Sequence, residues 1–435
     1  MKKFLYLPLE SKVRELDAKL LIALEAIKNN YVVILGSKRV MDYLKFLPKG
    51  IIFYKDSCAL MEKKFKSFQS YGHKVVVHDE EGIIQINWEQ YSAKRINFNT
   101  LKYIDKYFCW GLEQYNCINV AKDMFNKDLN LVNVGHPRID LLRDPIRKYN
   151  INRTEKRKTI LINTKLAEYN HIKGDGGWMK IMETHQMLYS EDYKKLKIQQ
   201  MTYKEELMTN YVSLINYLSS YYPEYRIILR PHPSENINTW INLTKNLKNV
   251  MVTNRESIGY WINESDLIIH TGCTTAVEAF ILDKPVITYK PIEDIRFDLE
   301  LPDNIGFKTY TEEECIKLIS KLIEGNYNKF EYKEKGNILL SKNIHYLEGE
   351  FSYKNIISEL NKIDLKPQRS WLITKYYIKI LFLLRKMKSF LRSSFEYKEK
   401  NNNKLFNKKD IQKPMLALQN VLDDKSNVNI EVLIE

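Results

Sequence analysis

Short apolar runs alternate with segments of helical periodicity along most of the chain, and this alternation restricts the fold more than any other feature. Phe4 to Leu9 reads as a buried strand closed by Pro8 and Glu10. Residues 12–29 follow, with Val13, Leu16, Leu20, Leu24 and Ile27 at helical spacing. Tyr31 to Leu35, Gly50 to Phe53, Lys74 to Val77, Phe108-Cys109-Trp110-Gly111 and Leu131 to Val134 repeat the strand pattern, with a helix over 112–124. Strand, helix and strand at this spacing build βαβ units, whose strands lie parallel. A second series starts at Thr159 to Thr164 and continues through Arg226 to Leu229, Val250 to Thr253, Asp266 to His270 and Pro285 to Tyr289. Residues 165–200 are poorly patterned; a long helix is expected over 203–221, and a last globular helix near 311–324. The polar, basic stretch 144–157 reads as a linker. A chain of 435 residues is long enough for two full cores. The expected organisation is α/β, with two doubly wound Rossmann-like domains at 1–150 and 151–345. Helices including a basic amphipathic segment follow at 346–395, then a disordered tail at 396–435 that carries a short helix near 413–422.

The strand Arg226 to Leu229 runs into Arg230-Pro231-His232-Pro233-Ser234-Glu235. Two prolines stop the strand, so the chain turns and presents an arginine, a histidine and a serine at the carboxyl edge of the sheet. Ligands of open α/β sheets bind at that edge. The strand ending at His270 likewise leads into Thr271-Gly272-Cys273-Thr274-Thr275 and a helix carrying Glu278. A helix start attracts anions, and Gly272 permits close approach of backbone. Simple N-capping by Thr274 or Thr275 accounts for the same residues, as a structural turn does for His232. Two such strand ends in one domain point to nucleotide binding.

The strand Lys74 to Val77 leads into His78-Asp79-Glu80-Glu81-Gly82. A solvated acidic turn explains this triplet; so does a general base, because neighbouring negative charge at Asp79 and Glu81 raises the pKa of Glu80. His136, in Gly135-His136-Pro137-Arg138, is either a ligand residue or part of a closing turn. Gly174-Asp175-Gly176-Gly177 reads as a mobile loop without the spacing of a phosphate-binding fingerprint. No DxD-type motif is positioned for a cation, so no metal is expected.

The net charge of +14 suits an anionic partner. Eight Lys or Arg and no Asp or Glu fall within 366–392. There Leu372, Ile373, Tyr376, Ile380, Leu383, Leu384, Met387 and Leu391 share one helical arc, and the basic residues the other. That is the pattern of an interfacial helix on an anionic membrane surface; packing on the protein body or binding a partner is the alternative. Nucleic acid is not expected, since no reading motif accompanies the charge. The five cysteines are widely spaced, without CxxC or zinc-type clusters, which suits a reduced cytosolic compartment. Charges at Glu10, Lys12, Arg14 and Glu15 interrupt any signal h-region, and no run reaches the roughly 18 apolar residues of a span.

The motifs Leu7-Pro8-Leu9-Glu10 with Arg14-Glu15 and Asp17, Asp79-Glu80-Glu81-Gly82, Trp110-Gly111, Gly135-His136-Pro137-Arg138, Arg230 to Glu235, and Thr274-Thr275 with Glu278 together resemble the bacterial surface carbohydrate biosynthesis proteins. The resemblance spans residues 4–305 and implies a GT-B-like glycosyltransferase architecture with the two domains facing a cleft. Glu80-Glu81-Gly82, His232-Pro233 and Thr274-Thr275 are also similar to the motifs of sialyltransferases and Kdo transferases that use CMP-activated sugars. The likeness implies a catalytic base at Glu80 and a CMP site at the other two motifs. The Arg-Pro-His-Pro and Thr-Thr pattern further resembles CDP-glycerol phosphotransferases of teichoic acid synthesis.

The expectation is therefore a metal-independent glycosyltransferase of surface polysaccharide assembly, lipopolysaccharide O-antigen or capsule. It would move Kdo or another nonulosonate from a CMP donor to a lipid-linked or polysaccharide acceptor, with no further cofactor. Asp79, Glu80, Glu81 and His232 are the catalytic candidates. Arg230, His232, Pro233, Ser234, Thr271, Gly272, Thr274, Thr275 and Glu278 would bind the donor. Glu10, Arg14, His136 and Arg138 would line the acceptor side. The rival expectations are a CDP-glycerol or CDP-ribitol polyol-phosphate transferase and a non-catalytic nucleotide-sugar-binding subunit. The expected place is the cytoplasmic membrane's inner face.

Overall fold

The computed structural model describes residues 3–10, 12–124, 128–150, 157–184, 187–188, 190–365, 376, 408–423 and 431–433. The chain divides into two compact units. The first comprises residues 1–83, 88–149 and 341–435, and the second residues 84–87 and 150–340. The boundary near 150 falls where the sequence places its linker. Ile146, inside that expected linker, is nevertheless fully buried in the first unit's core.

The first unit is built on β1 (Lys3–Leu9), β2 (Tyr31–Ser37), β3 (Ile51–Tyr54), β4 (Lys74–His78), β5 (Lys106–Cys109) and β6 (Asn130–Asn133). They pair in parallel in the order β2-β1-β3-β4-β5-β6. Alternate residues of β1 enter opposite layers. Leu5, Leu7 and Leu9 join one core and Phe4 and Tyr6 the other, because side chains along a strand alternate in direction. Gly50 admits β1 closely: a Cβ there would lie 2.4 Å from the Phe4 carbonyl oxygen.

The second unit is built on β7 (Thr159–Thr164), β8 (Arg226–Pro231), β9 (Val250–Val252), β10 (Leu267–His270), β11 (Val286–Tyr289) and β12 (Phe307–Thr309). The order β12-β11-β10-β7-β8-β9 is that of a doubly wound dinucleotide-binding sheet. Winding reverses between β1 and β3 in the first sheet and between β7 and β10 in the second, and at such points helices diverge and leave a crevice.

The poorly patterned stretch 165–200 is more ordered than its pattern predicts. Helices cover Gly177–Thr184 and Glu191–Tyr221, the second capped by the Ser190 hydroxyl. The first third of the long helix lacks an apolar period because Lys197 and Gln200 occupy its buried face. Gly177 opens a helix, while Gly174 and Gly176 turn with positive φ. Helices at Lys329–Asn343 and Ser352–Asn361 extend the globular part beyond 324. The second of these packs into the first core through Ile356, Ile357 and Leu360. Both carboxylate oxygens of Asp140 accept its first amides, Ser352 N–H at 3.0 Å and Tyr353 N–H at 2.8 Å.

The tail also departs from expectation. Lys408–Val421 is helical, and β13 (Glu431–Leu433) joins the β2 edge in parallel. Ile411 and Leu418, seven residues apart, are buried with Leu16, Leu20 and Leu24 in one cluster. Met415 and Leu422 pack against the same cluster, so four apolar residues at helical spacing dock this segment, and its helix covers the short one expected near 413–422. Truncating Leu418 to alanine is expected to cost about 2–4 kcal/mol in urea unfolding, and an unchanged midpoint would show that the tail does not pack. The basic segment 366–392 lies outside the described residues except for Tyr376. No described helix is long and apolar enough to cross a membrane.

Candidate functional site

In the first unit, the carboxyl edge of the sheet gathers Glu10, Arg14, Asp79, Glu80, Glu81, His136 and Arg138. Asp79 is fully buried and bound by the Arg95 guanidinium through two contacts, one at 2.9 Å, and by the Tyr91 hydroxyl at 2.9 Å. It also accepts the Glu81 amide at 3.0 Å. These bonds shape the turn and occupy both oxygens of Asp79. Glu81 is half-exposed and pairs with Arg14 at 3.0 Å and Arg95 at 3.5 Å. Burial works to raise the Glu10 carboxyl, but Lys55 and Lys38 outweigh it and hold it at about 2.

Glu80 is not an open carboxylate. It is 3 % exposed, with Lys19 Nζ 3.2 Å from one oxygen and His136 Nε2 3.4 Å from the other. Its proton affinity departs from the sequence expectation. Asp79 and Glu81 are neutralised by arginines, so they do not push the Glu80 pKa up. Burial raises it, but Lys19 and then His136 outweigh burial and hold it well below the ordinary range. Lys19 Nζ, Glu80 Oε2 and His136 Nε2 meet at ion-pair rather than hydrogen-bond geometry, which leaves hydrogen-bonding capacity unused in a buried place. Lys19 is the residue that sequence reasoning missed. It sits between Leu16 and Ala23 on a buried helical face, and a lone lysine in an apolar stripe was the available signal.

His136 sits in a helix-capping turn and also faces Glu80. Its Nδ1 accepts the Arg138 amide at 3.1 Å and caps the helix Pro137–Asp140, so Nε2 carries the hydrogen and faces Glu80. Trp110 stacks on the ring at 3.8 Å, and His78 lies 4.4 Å away. Burial pushes the His136 pKa down to about 4 despite Glu80. Arg138 is half-buried within electrostatic reach of Glu80.

In the second unit, the Arg230 to Glu235 turn leaves β8 beside β7. Glu235, 2 % exposed, accepts the His232 amide at 2.9 Å, the Thr164 hydroxyl at 3.0 Å and the Trp240 indole N–H at 3.0 Å. The His232 ring is exposed beside exposed Pro233; its Nδ1 accepts the Ser234 amide at 3.2 Å and lies 2.5 Å from the Ser234 hydroxyl. The remaining N–H is therefore on Nε2, which suits donation to an anion. Arg230 donates to the Glu256 carbonyl at 3.3 Å, and its buried Nε has no hydrogen-bond partner among the described residues. Glu278, buried one turn into its helix, is the nearest charge opposing the desolvation of Arg230.

The turn after β10 crosses the switch point. The Thr271 amide donates to the Asn163 carbonyl at 3.2 Å, and the Thr271 hydroxyl accepts the Lys165 amide at 2.7 Å. Gly272 holds φ +83°, where a Cβ would lie 3.0 Å from Asp303 Oδ1. The N-cap of the helix Thr274–Ile281 is Cys273, which makes no side-chain cap bond, so capping does not explain Thr274 and Thr275. They are the first two helical residues, Thr275 buried and Thr274 half-buried. The first turn is left uncapped by any side chain at the N-cap position, the arrangement that receives anions.

His270, buried and outside the expected set, fixes that turn. The Gly272 amide donates to its Nδ1 at 2.9 Å, and Nε2–H donates to the Thr288 hydroxyl at 3.0 Å. Only the neutral ring satisfies both bonds, and burial pushes its pKa down to about 4. An unfolded histidine titrates near 6.5, so the unfolded chain binds the extra proton between pH 6.5 and 4. This contribution is complete above pH 6.5 and is lost as pH falls through 4, up to about 3 kcal/mol. Thermal melts from pH 7.5 to 4.5 are expected to fall more steeply for the native chain than for His270→Asn, and parallel curves would contradict the assignment.

Among the described residues, no group of three or more His, Cys, Asp or Glu is placed to hold a metal ion. The architecture is GT-B-like, with two Rossmann-like units of parallel, doubly wound sheet. No protein-family model matches the sequence, and no curated protein does. Solved structures share its fold. The wall teichoic acid polymerase TagF soaked with CDPG matches at 12 % identity and TM-score 0.53, covering 83 % of this chain and 88 % of that one. UDP-GlcNAc 2-epimerase from Neisseria meningitidis bound to UDP-GlcNAc matches at 17 % identity and TM-score 0.50, covering 82 % and 99 %.

Proposed function

We propose that this protein is a transferase of bacterial surface polysaccharide assembly that uses a nucleotide-activated donor. The observation that carries the reading is the joint placement of His232, Arg230 and the uncapped Thr271 to Thr275 turn at the switch-point edge of a Rossmann-like sheet. Support for the class comes from the GT-B-like fold and from solved relatives of that fold whose ligands are CDPG and UDP-GlcNAc.

In this reading the second unit holds the donor. Phosphate oxygens accept from His232 Nε2–H and the first amides of the helix at Thr274, while Arg230 balances charge and Glu278 accepts from ribose. The first unit supplies the acceptor-side chemistry. As the acceptor oxygen bonds to the transferred group and the bond to the nucleotide phosphate breaks, the hydroxyl proton passes to the Glu80–His136 pair. The departing phosphate keeps the electron pair. With a CMP-linked nonulosonate, the donor we favour, the bond broken joins the anomeric carbon to oxygen. The segment 366–392 would seat the enzyme on an anionic membrane near a lipid-linked acceptor.

A second reading, a polyol-phosphate transferase with a CDP donor, is favoured by the fold shared with TagF. Turnover of CDP-glycerol with none of CMP-sugars would select it. Calorimetry against CMP, CDP, UDP and GDP is the first test of either. His232→Ala is expected to weaken the bound nucleotide at least tenfold, and unchanged affinity would remove the donor site from this edge.

A further inference from the structure

Lys204 lies on the buried face of the helix Glu191–Tyr221 and is 7 % exposed. Buried lysines are normally paired. Among the described residues Lys204 has no ion pair and no hydrogen bond; its ammonium lies 5.3 Å from the Tyr203 ring. Its surroundings connect it to the Gly272 turn. On the same helix the Tyr203 hydroxyl donates to Asp298 at 2.6 Å and the Tyr211 hydroxyl donates to the carbonyl of His270, the residue before that turn. The charges that act on Lys204 belong to Glu168, Lys165, Asp303 and Lys290. Lys165 donates its amide to Thr271, and Asp303 abuts Gly272. Lys290 is saturated by Asp298 at 2.6 Å and Asp303 at 3.0 Å, so it offers no spare charge. Lys204 is a buried cation with no bonded partner among the described residues, on the helix that holds the base of the turn proposed for the donor phosphate.

We propose that Lys204 binds the second anionic group of the donor, the one beyond the nucleoside phosphate. That group is a carboxylate on a transferred acidic sugar or the outer phosphate of a nucleoside diphosphate. This inference rests on the donor reading above. It adds a specificity determinant: neutral sugars on a nucleoside monophosphate would leave the ammonium unpaired, and an unpaired buried charge penalises the wrong ligand.

The test is Lys204→Met in the full chain, which keeps the length of the stem and removes the charge. Without ligand, the variant is expected to melt at the same temperature as the native chain or higher, because an unpaired desolvated ammonium is replaced by a thioether. A structural lysine would instead lower the melting temperature. By calorimetry, CMP affinity is expected to change less than twofold. Affinity for CDP or for CMP-N-acetylneuraminate is expected to fall at least tenfold, and the ligand that loses identifies phosphate or carboxylate. UMP and UDP replace the cytidine pair if the native chain binds uridine nucleotides. Equal losses for CMP and for the ligands that carry a second anionic group, no loss at all, or a lower melting temperature without ligand would each overturn the assignment. If the native chain binds none of these nucleotides, the donor reading fails first and Lys204 with it.

Discussion

Glu80→Gln is expected to abolish transfer and to destabilise the first unit by about 3–5 kcal/mol, the usual cost of removing one partner from a buried ion pair. Lys19, 1 % exposed, would lose the carboxylate with which it pairs. His136 Nε2–H would face an amide instead of a carboxylate. The depressed Glu80 pKa fixes the pH window. Its stabilisation is complete above the ordinary glutamate value near 4.3 and disappears as pH falls through the lower folded value. Urea unfolding at pH 7 measures the loss. The double variant Lys19→Met, Glu80→Met separates chemistry from packing, because apolar replacement of a whole buried pair is often neutral or stabilising. Near-native stability without transfer would mean that the pair is retained for the reaction. Transfer surviving in a folded double variant would remove Glu80 from the mechanism.

Glu235→Ala is expected to have the next largest effect, and to act through His232 without touching the donor. Its carboxylate collects the His232 amide, the Thr164 hydroxyl and the Trp240 indole. Truncation leaves the Thr164 hydroxyl and the Trp240 indole without this acceptor in a buried place, at about 1–3 kcal/mol for each donor left unsatisfied, while the His232 amide keeps the Thr164 carbonyl at 3.2 Å. A loss of roughly 3 kcal/mol overall is expected because the losses are not additive. Glu235→Gln should lose less, since one oxygen still accepts while the amide nitrogen opposes a donor. Both variants should weaken nucleotide binding in proportion to how far His232 is released. Calorimetry that finds native affinity in a destabilised Glu235→Ala would show that the turn holds without its anchor.

Much of this molecule is legible in the chain itself. The βαβ alternation yields both sheets, because a parallel strand must be recrossed by a helix. The two prolines around His232 mark a strand end, and strand ends are where α/β sheets bind ligands. The electrostatic state of the acidic triplet was not legible. Neighbours in sequence suggest repulsion at Glu80, yet Arg95, Arg14 and Lys19 reach it or its neighbours from other elements and reverse the sign. The helix over 191–202 was hidden because buried Lys197 and Gln200 break the apolar period by which helices are recognised. The tail's short helix was legible in the spacing of Ile411, Met415, Leu418 and Leu422, but its docking was not, because the core stripe that receives it, Leu16, Leu20 and Leu24, lies near the other end of the chain.

By itself, then, the sequence determined the strand and helix order, the boundary near 150 and the loops that carry the candidate site, since these depend on local preference and periodicity. Only the tertiary structure decided which charges are neutralised, that His270 and Glu235 brace the two turns, and that Lys204 is buried with no bonded partner among the described residues. Those properties depend on distances between residues far apart in the chain, and in a medium of low polarity such distances govern both charge and hydrogen bonding.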